Sequence, residues 1–190
     1  MRRIPVRATA RVTTLVVLTI WPITIAWISL ARTSGASVAS SSLIAADGLP
    51  NSCPVTKRSV SSFLPPSGYP AEAGPDRFWF GTAKLWTSLP ADGTWKGLGH
   101  YTPDDPTFRQ KLFFFRQGYK LREEPSPKLT VTGRRINASA SPLQSDKANG
   151  SWQDKRYPFM VTGVNFPTLG CWEITADYHG DKLTFVVWLE

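Results

Sequence analysis

Histidine, cysteine and methionine are each present only twice in the 190 residues. A zinc or copper centre gathers three or four such ligands, with carboxylates, in one cluster. No such grouping occurs near His100 or His179 beyond Asp177 and Asp181, so neither a metal nor another cofactor is expected. Also absent are a Gly-Lys-Ser/Thr phosphate loop, a nucleophile elbow and a dinucleotide fingerprint. The adjacent pairs Asp104-Asp105 and Glu123-Glu124 are flanked by prolines and read as solvated turns rather than as acid/base partners. No stretch after residue 32 carries an amphipathic helical period of useful length. These absences exclude the common enzyme classes and an α-helical domain.

Acidic residues are missing altogether before residue 40, where Arg2, Arg3, Arg7, Arg11 and Arg32 lie. The net charge of +8 falls to +3 without those five arginines, with 17 basic against 14 acidic residues. The basicity therefore marks a targeting segment rather than a nucleic-acid surface. Four arginines precede an uncharged apolar run of twenty residues, Val12 to Ala31. Such a run spans a bilayer core of about 30 Å, and the arginines keep the N-terminus cytoplasmic. The run exceeds the usual apolar region of a cleaved signal, yet "SGASVAS" after it supplies the small residues that cleavage needs. Residues 1–32 are thus expected to form a hydrophobic helix, either a transmembrane anchor or a signal peptide, with the rest extracytoplasmic or secreted. Cys53 lacks the lipobox spacing of a lipoprotein.

Residues 33–52 are small and polar and read as a linker. Residues 53–190 form the expected domain, with a lead-in at 53–75 that holds Pro54, Pro65, Pro66, Pro70 and Pro75. That lead-in is expected to lie extended over the domain surface. Beyond it come "RFWFGTAKLWTSL", "TWKGLGHY", "RQKLFFFRQG", "KLTVTGRRIN", "YPFMVTGVNF", "GCWEITADY" and "KLTFVVWLE". These are about seven short strands parted by turn residues, the pattern of an all-β antiparallel sandwich of Ig-like type. The polar stretch "ASASPLQSDKANGSWQDKR" reads as a long loop.

On a strand, "GCWEITADY" puts Trp172, Ile174, Ala176 and Tyr178 on an apolar face and Cys171, Glu173, Thr175 and Asp177 on the other. A cysteine on the polar side is placed to hold something outside the main core, and Cys53 is its one available partner. In an exported chain a Cys53–Cys171 disulfide is favoured. Two free thiols or a reactive cysteine remain as alternatives, the latter without a nearby activating base. "DYHGD" reads as a hairpin turn. Asn137-Ala138-Ser139 and Asn149-Gly150-Ser151 are acceptor sequons of low specificity.

Aromatics are plentiful: six of the eight tryptophans follow the anchor. Trp79, Trp95 and Trp152 are the candidates for an exposed binding patch, because Trp79 and Trp86 fall on opposite faces of one apparent strand and the other two sit in polar surroundings. Arg116, Lys120, Arg122, Lys128, Arg134 and Arg135 read as a solvated surface, interrupted by Glu123 and Glu124.

"CPVT", "KLTVTGRRINASASPL" and the closing "FPTLGCWEITADYHGDKLTFVVWLE" resemble a group of bacterial exported proteins without an assigned function. The resemblance spans 53–190 and implies an exported, Ig-like β-sandwich; it supplies no catalytic residue. A looser similarity links the late strand to copper-handling sandwich modules, whose Met and His ligands are poorly represented here. The expected role is non-catalytic: binding or structural work at the cell envelope, on a polymer or a protein, with no nucleic acid. The rival is an envelope hydrolase built on scattered carboxylates and a histidine.

Overall fold

The computed structural model describes residues 53–60, 63–153 and 156–190. The expected N-terminal helix (1–32) and linker (33–52) lie outside the described residues. Among the described residues every regular element is a strand, and no helix is long and apolar enough to cross a membrane.

Ten strands form two packed sheets. The larger runs β1 (Arg77–Thr82), β2 (Leu85–Pro90), β4 (Phe108–Phe115), β8 (Tyr157–Phe166) and β6 (Gln144–Ser145), with β7 (Asn149–Gln153) also paired to β8. The smaller runs β3 (Thr94–Trp95), β10 (Asp181–Leu189), β9 (Gly170–Tyr178) and β5 (Leu129–Arg135). All pairings are antiparallel except β3 with β10, where Thr94 and Trp95 lie beside Trp188 and Leu189.

Alternation builds the main core between the sheets. Trp172, Ile174, Ala176 and Tyr178 of β9 point inward as their spacing predicts, with Leu183, Phe185, Val187 and Leu189 of β10 alongside. From the larger sheet come Phe78, Leu89, Leu112, Phe114, Val164 and Phe166. The β9–β10 hairpin turns on His179 and Gly180, both at positive φ (53° and 86°), the geometry a two-residue hairpin loop requires.

Three expectations about the strands needed correction. "RFWFGTAKLWTSL" is two strands, not one: β1 and β2 pair from Arg77↔Pro90 to Thr82↔Leu85 around Ala83 and Lys84. The chain folds back there because Gly81 adopts a φ of 134° and faces the Trp86 backbone, with no room for a side chain. "TWKGLGHY" keeps only Thr94 and Trp95 as a strand, plus an isolated bridge from Gly99 to Arg109. The supposed long loop contains β6 and β7, which pair with β8; their polar sequences (burial is slight in both) carry no apolar alternation.

The described lead-in, 53–60 and 63–75, lies over the outer faces of both sheets as expected, but its second half is a series of turns rather than extended, one of them closed by the Tyr69 N–H on the Pro66 carbonyl (3.2 Å). On the smaller sheet Cys53 is disulfide-bonded to Cys171, with Cα atoms 5.6 Å apart, a normal bridging distance. Val55, Ile136, Val186 and Trp188 pack round the bond. Thr56 ties into β10 twice: its N–H donates to the Val186 carbonyl (2.8 Å), and its Oγ1 accepts from the Val186 N–H (2.9 Å). On the larger sheet Phe63, Tyr69 and Ala73 cover Trp79, Trp86, Phe115 and Tyr157. Tyr69 sits edge-on to Trp86 with centroids 5.0 Å apart. The Trp79 indole N–H donates to the Pro70 carbonyl (2.9 Å). The prolines suit this role: a strap laid over side chains has few backbone partners, and proline reduces both its unpaired N–H groups and its flexibility.

Candidate functional site: a cleft where the larger sheet splits

β2 and β4 are neighbours for only two register pairs, Trp86↔Phe115 and Thr87↔Phe114. Beyond them Ser88–Pro90 keeps its pairing with β1 but leaves β4, and Pro90 at the end of β2 has no N–H to give. At the far end of β4, Gly99 takes up the pairing at Arg109, whose N–H donates to the Gly99 carbonyl (2.8 Å). Between these points Gln110 to Phe113 have no strand partner on the β2 side.

Unpaired backbone inside a sheet is costly, and side chains finish it. The Thr87 hydroxyl donates to the Phe113 carbonyl (2.7 Å). The Gln110 Oε1 accepts from the Lys111 N–H (2.9 Å). The Arg77 guanidinium donates to the Ser88 carbonyl (2.7 Å) and to its Oγ (2.5 Å). Side-chain bonds thus satisfy part of the backbone where the β2–β4 ladder stops, and Thr87 ties the two strands at its edge.

The gap forms a cleft of about 440 Å³, within the usual range for small-ligand sites. Trp79, Phe113, Phe115 and Tyr157 supply aromatic walls, and Trp95 and Leu112 line it from the core side. Arg77, Lys111, Gln110, Gln153, Ser88 and Glu72 supply the polar groups. Partial desolvation lowers the Arg77 pKa. Neither Arg77 nor Lys111 has a carboxylate within ion-pair distance among the described residues. The neighbouring Arg109 differs, being paired with Asp146 and placed over the Tyr101 ring.

The three candidate tryptophans go to different places. Trp79 and Trp95 are both buried yet both line the cleft; Trp152 is 45% exposed. Trp79 shares the outer face with Trp86 because the two lie on separate paired strands, which corrects the opposite-face assignment. Trp95 is not in polar surroundings: β3 pairs with the last strand and its ring packs on Phe166 and Phe185. Trp152 pairs opposite Pro158 and lines a shallow hollow with Arg122 and Arg156. The cleft brings Trp79 and Trp95 together, and Trp152 does not line it. Sequence reasoning missed Arg77, Gln110, Lys111 and Gln153. A strand ending in proline beside a partner strand that continues was the available sign of the split.

At the other end of the sandwich a polar clamp ties the loop after β4 to the β9–β10 hairpin. Tyr178 donates to a Glu124 carboxylate oxygen, His179 Nε2 lies 3.4 Å from that carboxylate, and Tyr119 donates to the Glu124 carbonyl (2.8 Å). Arg116 binds Asp181 (2.7 Å) and lies over the Tyr178 ring. Burial tends to raise the Glu124 pKa, but hydrogen bonds from Tyr178, the Lys128 N–H and His179 leave it below the ordinary value. The hydrogen bond from Arg116 lowers that of Asp181.

Burial, and then the Glu124 charge, push Tyr119 up to about 12 and raise Tyr178 above its normal range. In the unfolded chain both titrate near 10. Raised folded pKa values give stability that is complete below pH ~10 and is lost as pH climbs towards 12. An alkaline absorbance titration is expected to show these two tyrosines ionising late, together with unfolding. Normal titration of all five tyrosines in the folded protein would contradict the clamp.

Of the basic residues, Arg116, Lys120 and Arg134 are paired with Asp181, Glu123 and Glu173, and Arg135 hydrogen-bonds Asn137 and Thr168. Asn137 of the first sequon accepts from Arg135 and from the Cys171 N–H. His100 is bonded to the Thr107 carbonyl, and neither histidine lines the cleft. No group of three or more metal-ligating side chains occurs among the described residues. No family model matches this chain, and no curated protein or solved structure matches it, so the cleft must be interpreted from its own geometry.

Proposed function

We propose that this chain is an extracytoplasmic, non-catalytic β-sandwich of Ig-like type that binds a component of the cell envelope in the β2–β4 cleft. Residues 1–32 would tether it to the membrane or direct its secretion. One observation carries this: the β2–β4 ladder stops after two pairs, and the gap is lined by aromatic rings and by Arg77 and Lys111, neither ion-paired among the described residues. A sheet that served only as scaffold would gain stability by closing its ladder there. The Arg-flanked apolar run and the Cys53–Cys171 bond support export. The hydrolase alternative would use His179 beside Glu124, but that pair lies outside the cleft and already serves as a clamp.

Full-length protein in detergent, incubated with isolated envelope material, is expected to bind saturably. Ser88→Phe, which fills the cleft from a half-exposed surface position, is expected to abolish retention while leaving the circular dichroism spectrum unchanged. Equal retention of the variant would refute the cleft as the site. Hydrolysis of a cell-wall or ester substrate, abolished by one substitution, would refute the non-catalytic assignment.

A further inference from the structure

The cleft's polar complement narrows the chemistry of its occupant; this step rests on the cleft being the ligand site. Polar side chains surround it, and Gln110 is already oriented, because its Oε1 accepts from the Lys111 N–H and its NH₂ is left as the donor end. An acyl chain or plain hydrocarbon would leave this bonding capacity unused. A ligand that presents several donors and acceptors together with a flat apolar face suits both sets: hydroxyls for Gln110, Gln153, Ser88 and Glu72, and a C–H face for Phe113, which is 43% exposed, with only the edges of Trp79 and Tyr157 accessible.

Charge sets the remaining constraint. Among the described residues Arg77 and Lys111 are the cations that line the cleft and neither is ion-paired, while Glu72 is the one lining carboxylate. The Arg77 fork is fixed by its two bonds to Ser88, which pre-organises the remaining N–H groups. A multiply charged phosphate ligand would be repelled by Glu72. A single carboxylate carries less charge, so Glu72 repels it less, and its planar pair of oxygens suits a guanidinium. We propose that the cleft binds acidic saccharide units of the uronic-acid type, with Arg77 and Lys111 recognising the carboxylate and the aromatic and amide side chains holding the ring.

The test is calorimetric titration of the full-length protein with three probes: a galacturonate trimer, the same trimer fully methyl-esterified, and phenylpropionate. The acidic trimer is expected to bind saturably and to weaken with added salt. The neutral ester is expected to bind at least about tenfold more weakly, and Lys111→Gln to cost about ten- to a hundredfold, the range for losing a charged hydrogen bond. Arg77→Lys keeps the charge and is expected to lose affinity through the lost fork. Lys111 makes no side-chain bond among the described residues, so its variant stays interpretable if the Arg77 variant is unstable. Equal binding of acid and ester would overturn carboxylate recognition. Binding of phenylpropionate but not of the trimer would overturn the saccharide assignment. Failure of all three probes would overturn the inference but leave the cleft standing if envelope retention remains sensitive to Ser88→Phe; insensitivity there would remove both.

Discussion

Replacing Cys53 and Cys171 together by alanine is expected to lower the thermal midpoint by roughly 10–20 °C. The bond joins residues 118 apart in sequence, and the chain-entropy estimate for so long a loop is about 4–5 kcal/mol. That is a large share of the roughly 5–15 kcal/mol that a domain possesses in total. The strap depends heavily on it. The described strap otherwise enters the smaller sheet's ladder only at Thr56. Loss of the bond should therefore act on the larger sheet as well. Trp79 and Trp86 lie beneath Phe63, Tyr69 and Ala73, so their fluorescence is expected to shift to the red as the strap loosens. A shift in midpoint below about 2 °C, with unchanged emission, would show that the strap holds without its clasp.

Trp172→Ala is expected to cost about 3–5 kcal/mol, read from the urea midpoint at constant slope. The ring is fully buried, meets Phe166 edge-on at 5.2 Å, and its indole N–H donates to the Thr168 carbonyl (3.0 Å). The substitution leaves both a cavity and a carbonyl without its donor. Trp86 offers the contrast: it is equally buried, but its indole nitrogen has no hydrogen-bond partner among the described residues. Trp172→Phe should therefore cost about 1 kcal/mol or more beyond Trp86→Phe, because only the first change breaks a bond. Equal costs would mean that the Thr168 bond contributes nothing net.

These two tryptophans also mark what the sequence makes legible. Trp172 stands in a strand whose alternation runs unbroken to Tyr178, and strict period two fixes its face from residue spacing alone. The same holds for Leu183 to Leu189 and for the turn at His179-Gly180. The face of Trp86 escapes such reasoning because local composition cannot show that "FGTAKLW" reverses direction; only Gly81 hints at it. The burial of Trp95 escapes it too, since it comes from pairing with the chain's last residues, nearly a hundred positions away, while its sequence neighbours are polar. β6 and β7 are hidden for a related reason: edge strands on a sheet that already has its core need no apolar alternation. The cleft depends on where two strands part, a relation between distant segments that no window of sequence contains. The clasp, by contrast, is open to argument from two cysteines and a face assignment, because alternation settles which side Cys171 occupies.

The clasp underlies the whole account, from the proposed export to the strapped aromatic face beside the cleft. The most direct test is the intact mass of the chain recovered from the envelope of expressing cells, with and without reductant, after thiol labelling. The account predicts an unlabelled chain, lighter by two hydrogens until reduction, with label taken up at Cys53 and Cys171 only afterwards. Two labelled thiols in the unreduced, envelope-derived protein would contradict it.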